Sequence, residues 1–159
     1  MKDSIIKIVK YMHNYMNLPI TPSNTVITKP KYPYITYDML ATSDEGNTFG
    51  NIEYREDGEN MQEVKILEPE GMISFTSHSK TMFEALEVAQ TAWNYLNHIG
   101  YDDLALENVV IVKTHNITDR TILDVDAYEY RYGFDVRVRY SNIIERKDKT
   151  IDKWGVSYD

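Results

Sequence analysis

Hydrophobic positions repeat with two different periods along this chain, and the switches between them predict its elements. Near the start, Ile5, Ile8, Val9, Met12, Tyr15 and Met16 recur at spacings of three and four, one stripe of a helix over residues 3–16. Asp3 or Ser4 can cap its start, and Pro19 stops its continuation. The second helical stripe is clearer. Thr81-Met82-Phe83-Glu84 is a capping box. Behind it Met82, Leu86, Ala89, Trp93 and Leu96, widened by Ala85, Ala92 and Ile99, form the face expected to pack on a sheet. Glu84, Glu87, Gln90, Thr91 and Asn94 face solvent, and Gly100 is expected as a left-handed cap.

The rest alternates with period two. Residues 34–40 place Ile35, Tyr37 and Met39 on one face, and a strand over 50–55 is expected to turn Ile52 and Tyr54 inward. Glu56 to Asn60 reads as a polar turn. Strands over 62–67 and 72–77 are expected to pair as a hairpin through Glu68-Pro69-Glu70-Gly71, which suits a type I turn. Val109 to Val112 reads as a strand buried on both faces. The strongest pattern comes last: from Tyr128 to Tyr140 every even position is apolar or aromatic, and the odd positions are Glu129, Arg131, Gly133, Asp135, Arg137 and Arg139. Extended, those residues span about 43 Å. Gly133 is the natural place for a bulge, and a strand so long is expected to project and offer its edge to another chain.

These elements predict an α+β fold: a largely antiparallel twisted sheet with an N-terminal helix and one central helix packed on it, and a long C-terminal strand. At 159 residues the expectation is a single domain over 1–159. It divides into a helix over 1–17, a proline-rich extended connector over 18–33, a core over 34–140, and a C-terminal tail or arm over 141–159. Four of the five prolines lie in the connector.

Composition removes more functions than it suggests. With no cysteine in the chain, disulfide scaffolds, thiolate zinc sites and cysteine nucleophiles are excluded. No apolar run approaches the roughly 20 residues that span a bilayer, so no membrane partner is expected. The net charge of −8 is unevenly placed: residues 1–32 carry +4, residues 33–70 carry −8. Specific DNA binding is disfavoured by that acidic middle. The four histidines lie at no ligand spacing. Asp102-Asp103, Glu56-Asp57 and Asp44-Glu45 read as solvated loop acids, and the serines of Ser77-His78-Ser79 read as helix-capping residues beside a histidine, not as a nucleophile. Asp124 and Asp126 do not complete a calcium cage. No catalytic residue, cofactor or metal is expected, and the chain reads as no enzyme.

The tyrosine- and arginine-rich strand can be plain sheet core and rim, or an interface, since Tyr and Arg are enriched where proteins meet. The candidate subunit-interface residues are Tyr130, Arg131, Arg137 and Arg139, with Trp154 in the tail. Two segments carry a resemblance: Lys29-Pro30-Lys31-Tyr32-Pro33-Tyr34-Ile35-Thr36-Tyr37, a proline-rich lead into the first strand, and the long strand Tyr128–Tyr140. With the N-terminal and central helices, they resemble the neck or tail terminator proteins of tailed bacteriophages. The resemblance implies a structural virion protein, assembled in the bacterial cytoplasm, that caps the tail tube as a ring, commonly a hexamer, and joins the tail to the head connector. Its partners would be copies of itself, the tail-tube protein and the neck proteins, with DNA only as passing cargo that the acidic middle would not retain. The alternatives are another virion component, such as a head-completion or tail-tube protein, or a small cytoplasmic binding adaptor.

Overall fold

The structure, a computed structural model, describes residues 2–25, 28–41, 50–57, 60–124 and 127–148. Within them the alternating segment becomes β9 (Ala127–Tyr140). It lies in a sheet with β1 (Ile20–Pro22), β2 (Tyr34–Ala41), β5 (Glu70–Ser79) and β6 (Val109–Thr114) in the order β1-β2-β5-β9-β6. The short β7 (Thr118–Asp119) and β8 (Ile122–Asp124) also pair with β9. Among the described residues only the β1–β2 pair is parallel. A second sheet has the order β10-β4-β3, from β10 (Asn142–Asp148), β4 (Asn60–Leu67) and β3 (Asn51–Asp57).

One antiparallel register joins the two sheets. Residues of β4 pair with β10 from Met61↔Asp148 to Leu67↔Asn142. After two unpaired positions on each side, β5 pairs with β9 from Glu70↔Arg139 to Ser79↔Tyr130. The Tyr140 amide donates to the Pro69 carbonyl across the junction at 3.1 Å. The segments 61–79 and 130–148 are therefore one ribbon, and β3 lengthens its distal part into a three-stranded arm. The hairpin expected between the third and fourth strands is thus absent. β4 and β5 follow one another along the ribbon, each with its own sheet neighbour, because Pro69 removes an amide at the point where the neighbours change.

The helices cover one face of the larger sheet. α1 (Lys2–Met16) and α2 (Met82–Asn94), extended by a π-helical turn (Tyr95–Ile99) and α3 (Tyr101–Leu106), enclose Ile8, Met12, Ile35, Phe75, Leu96, Leu104, Phe134 and Val136. Phe75 and Phe134, directly cross-strand partners, place their rings 6.0 Å apart. Thr81 caps α2 by accepting from the Glu84 amide, while Ser79 bonds both the Thr81 amide and the Glu84 carboxylate. Ser79 meets the capping expectation, whereas Ser77 instead donates to the Ala85 and Tyr132 carbonyls, at 2.7 and 2.9 Å.

Several finer expectations fail, each for a packing reason. The inward face of α2 is Ala85, Val88, Ala89 and Ala92; Met82 and Leu86 are exposed, because small residues let the helix lie close to the sheet. Gly100 is not left-handed (φ −92°): a side chain there would sit 2.3 Å from the Tyr95 ring, so glycine makes room for a tyrosine. Asp102 and Asp103 open α3 and are not in a loop; Glu56 and Asp57 belong to β3, and Asn60 to β4. Ile52 and Tyr54 are exposed, since they lie on the arm. Val110 and Val112 are exposed: Val110 pairs with Arg139 on the face the helices leave uncovered, and Val112 falls at a register shift in the β6–β9 ladder. β9 has no free edge there: β5 flanks one side, and β8, β7 and β6 share the other. Nor is there a bulge at Gly133, whose pairing with Thr76 continues the register. Asp44-Glu45, Asp126 and Trp154 lie outside the described residues.

Gly133 has a different purpose. A Cβ there would lie 2.6 Å from the Phe75 carbonyl and 2.7 Å from the Arg120 guanidinium. The arginine tip can shift; the strand carbonyl cannot without moving the sheet. Gly133→Ala is expected to destabilise the fold by about 1–3 kcal/mol, read from urea unfolding midpoints; an unchanged midpoint would contradict the close approach.

Candidate functional site

Strand alternation sends Tyr34, Thr36 and Asp38 of β2, Ser74, Thr76 and His78 of β5, and the odd residues of β9 to the face away from the helices. That face is not a uniformly solvated rim, contrary to what the alternation suggests. Glu129 is 3% exposed. Its Oε1 accepts from Tyr32 Oη at 2.6 Å, Tyr34 Oη at 3.2 Å and Lys29 Nζ at 2.8 Å. Its Oε2 accepts from Arg131 Nε at 2.8 Å and from Arg131 Nη2. The two segments that carry the family resemblance, about 100 positions apart, thus meet on one carboxylate.

A buried carboxylate is costly unless its charge is matched and its lone pairs are filled. Here burial works to raise the Glu129 carboxyl, but the bonds from Lys29, Tyr32 and Arg131 bring it down to about 2. The bond to Glu129 raises Lys29 in turn. Burial, then the Glu129 charge, pushes the Tyr34 phenol up to about 12. His78, buried, stacks its ring on Tyr34 with centroids 4.5 Å apart and planes 4° apart. Its Nε2 bonds Thr36 Oγ1 at 2.9 Å. Nδ1 lies 3.5 Å from Glu129 and makes no hydrogen bond. Burial and the Arg131 charge bring the imidazole down to about 4, against the pull of Glu129.

A second group lies farther along the same face. Arg120 donates to Ser74 Oγ at 2.7 Å, Thr76 Oγ1 at 2.8 Å and Asp135 Oδ1 at 2.9 Å. Burial would raise the Asp135 carboxyl, yet the bonds from Ser74 and Arg120 hold it below its ordinary value. Between the groups runs an open groove of about 400 Å³ lined by Thr36, Asp38, Thr76, His78, Arg120 and Arg131, among others. The buried Glu129 carboxylate has donors on both oxygens, and Asp135, 35% exposed, accepts from Ser74 and Arg120 on its Oδ1. Among the described residues no group of three or more His, Asp or Glu could hold a metal ion. The Glu129 group fastens the proline-rich segment across the sheet.

The candidate interface residues do not form one patch. Tyr130 is half-buried on the helix-covered face near Tyr128. Arg131 is held by Glu129. Arg137 and Arg139 are exposed at the arm end, where both reach Glu70, at 3.8 and 2.7 Å. Sequence reasoning missed Glu129 because an acid at an odd position of an alternating strand reads as solvent-facing. The available signal was Tyr32 and Tyr34, aromatics on the polar side of the first strand beside prolines.

A family model described as phage neck terminator protein matches residues 3–158. No curated protein matches the chain.

Acid should release the strap. The unfolded chain takes up a proton on His78 near its ordinary 6.5 and the folded one only near 4, so stability falls as pH drops through that interval. Glu129, ordinarily 4.5 but held at about 2 in the fold, removes more stability between those values. Melting temperature against pH should decline from 6.5 downward, and Glu129→Gln, which leaves Lys29 and Arg131 without their counter-charge, should cost about 2–4 kcal/mol at pH 7. A flat profile from 6.5 to 2 would contradict the arrangement.

Proposed function

The chain belongs to the phage neck terminator proteins and is therefore a structural component of the virion; from this premise we propose that it caps the tail tube as a ring, commonly hexameric in such proteins, and joins the tail to the head connector. The family match over nearly the whole chain carries this reading. The same reading makes it a non-enzymatic protein whose partners are copies of itself, the tail-tube protein and the neck proteins, assembled in the host cytoplasm.

Two features of the molecule fit a part that is built to be held by neighbours. Carboxylates and guanidiniums on the helix-free face are matched internally, which leaves rigid strands. The exposed ion pairs at the arm end are different. Arg137 and Arg139 share Glu70, and exposed pairs contribute about 0–1 kcal/mol each. Their guanidiniums can exchange Glu70 for a neighbour's carboxylate at little cost. Tyr130, Arg131 and Trp154 complete the proposed interface set. The acidic stretch 33–70 would face the DNA path, where like charge opposes phosphate adhesion.

Removing the gene from the phage should leave heads and tails unjoined in electron micrographs, with joining restored by supplying the protein. Negative-stain images of the purified protein should show single-layer rings; long stacked tubes would point to a tube protein instead. The double variant Arg137→Ala/Arg139→Ala should unfold within about 1 kcal/mol of the natural chain yet sediment as smaller species.

A further inference from the structure

Charge is divided between the two sides of the larger sheet. Residues 81–112, which build α2, the π-helical turn, α3 and the start of β6, hold five acids and no Lys or Arg. On the helix-free face the rows at the arm end of β9 are basic. Lys113 stands directly opposite Arg137, and Val110 opposite Arg139, so all four share that face. Arg137 and Arg139 have Glu70 between them, at 3.8 and 2.7 Å. Lys113 is exposed and enters no ion pair among the described residues. Three cations thus share one carboxylate, and like charges directly opposite in a ladder repel. An external carboxylate would relieve that repulsion.

The anion that fits this patch is a protein carboxylate flanked by apolar surface. A phosphate backbone asks for a continuing run of cations, whereas here Glu70 sits among them and Val110, 36% exposed, adjoins them. The chain carries the matching chemistry on its other side. Asp102 and Asp103 are exposed on α3 and enter no ion pair among the described residues. Leu106, one turn beyond Asp102 on the same helical face, is 84% exposed. The spacings agree: Asp102 to Leu106 rises about 6 Å along the helix, and Arg137 to Arg139 about 7 Å along the strand. On α2 only Glu87 is comparable, since Glu84 is held by Ser79, and one acid does not answer two adjacent cations. Because α3 belongs to the layer on the opposite face of the sheet, the two patches can meet only between molecules.

We infer that the basic patch of Lys113, Arg137 and Arg139 receives the Asp102-Asp103 pair of a second copy of this chain, with Leu106 seated over Val110. The two patches face opposite ways, so one neighbour cannot satisfy both. The contact is therefore head-to-tail, the kind that propagates around a closed ring instead of stopping at a twofold dimer. The inference rests on the ring reading above and names the surface that its arginines exchange for Glu70.

A carbodiimide, which joins a lysine amine directly to a carboxylate with loss of water, reads the contact. Equal parts of isotope-labelled and unlabelled natural chain are treated in low salt, and the covalent dimer is digested for mass spectrometry. Peptides joining Lys113 of one molecule to Asp102 or Asp103 of another are expected. Lys113→Glu sets an opposite charge across from Arg137, so the monomer should melt no lower than the natural chain. Its self-association, read by sedimentation velocity, should nevertheless weaken about tenfold. Asp102→Lys should weaken association likewise, and the two reversals together should recover most of it. Glu87→Lys, an equal change of charge elsewhere on the helical layer, should leave it unchanged. Equal weakening by Glu87→Lys, or cross-links from Lys113 only to other acids, overturns the contact. Rings of the natural chain without the Lys113 cross-link overturn the contact and leave the ring reading standing. A natural chain that stays monomeric both in solution and on isolated tails overturns both.

Discussion

The pairing of residues 61–79 with 130–148 in one register is the constraint on which the rest of this molecule depends. Side chains alternate faces with period two, so a slip of one residue would carry Phe134, Val136 and Val138 out of the core and drive Glu129, Arg131 and Asp135 under the helices. Both faces oppose that slip. On one, α1, α2 and α3 bury the aromatic and aliphatic row. On the other, Glu129 and Asp135 find donors only where this register puts them. The arm inherits its position from the same pairing.

Glu129 is the place where local and long-range structure are tied together. A lone carboxylate at that depth would be destabilising; matched by Lys29, Arg131 and two phenols, it becomes a fixed point that holds the proline-rich segment on the sheet. The prolines limit how far that segment can relax when it is released, and so lower the entropy lost in holding it. The result is a sheet with one face covered by helices and the other partly covered by an extended strap, from which a single arm leaves.

Much of this was legible because it is local. The helix over 3–16, the Thr81 cap, and the strand to Tyr140 each depend on spacings within a dozen residues, and each forms where the periodicity places it. Partner choice was not. Glu68-Pro69-Glu70-Gly71 has the residues of a tight turn, yet Pro69 marks a change of sheet neighbour, because the competing pairing with β9 and β10 is far longer than a local hairpin. Val110 and Ile52 look like core by composition and are exposed, since burial depends on which strand or helix arrives, a fact that no short window contains.

The sequence by itself determined the α+β class, the two amphipathic helices and the alternation of the long strand, since hydrophobic period and turn chemistry are properties of neighbouring residues. Only the tertiary structure decided that the long strand is central, that an acid at its polar side is buried, and that Gly133 serves a close approach instead of a bulge. Those outcomes require segments about 50 to 100 positions apart to meet, and the energy of burying a charge or a backbone contact is defined only once its surroundings exist.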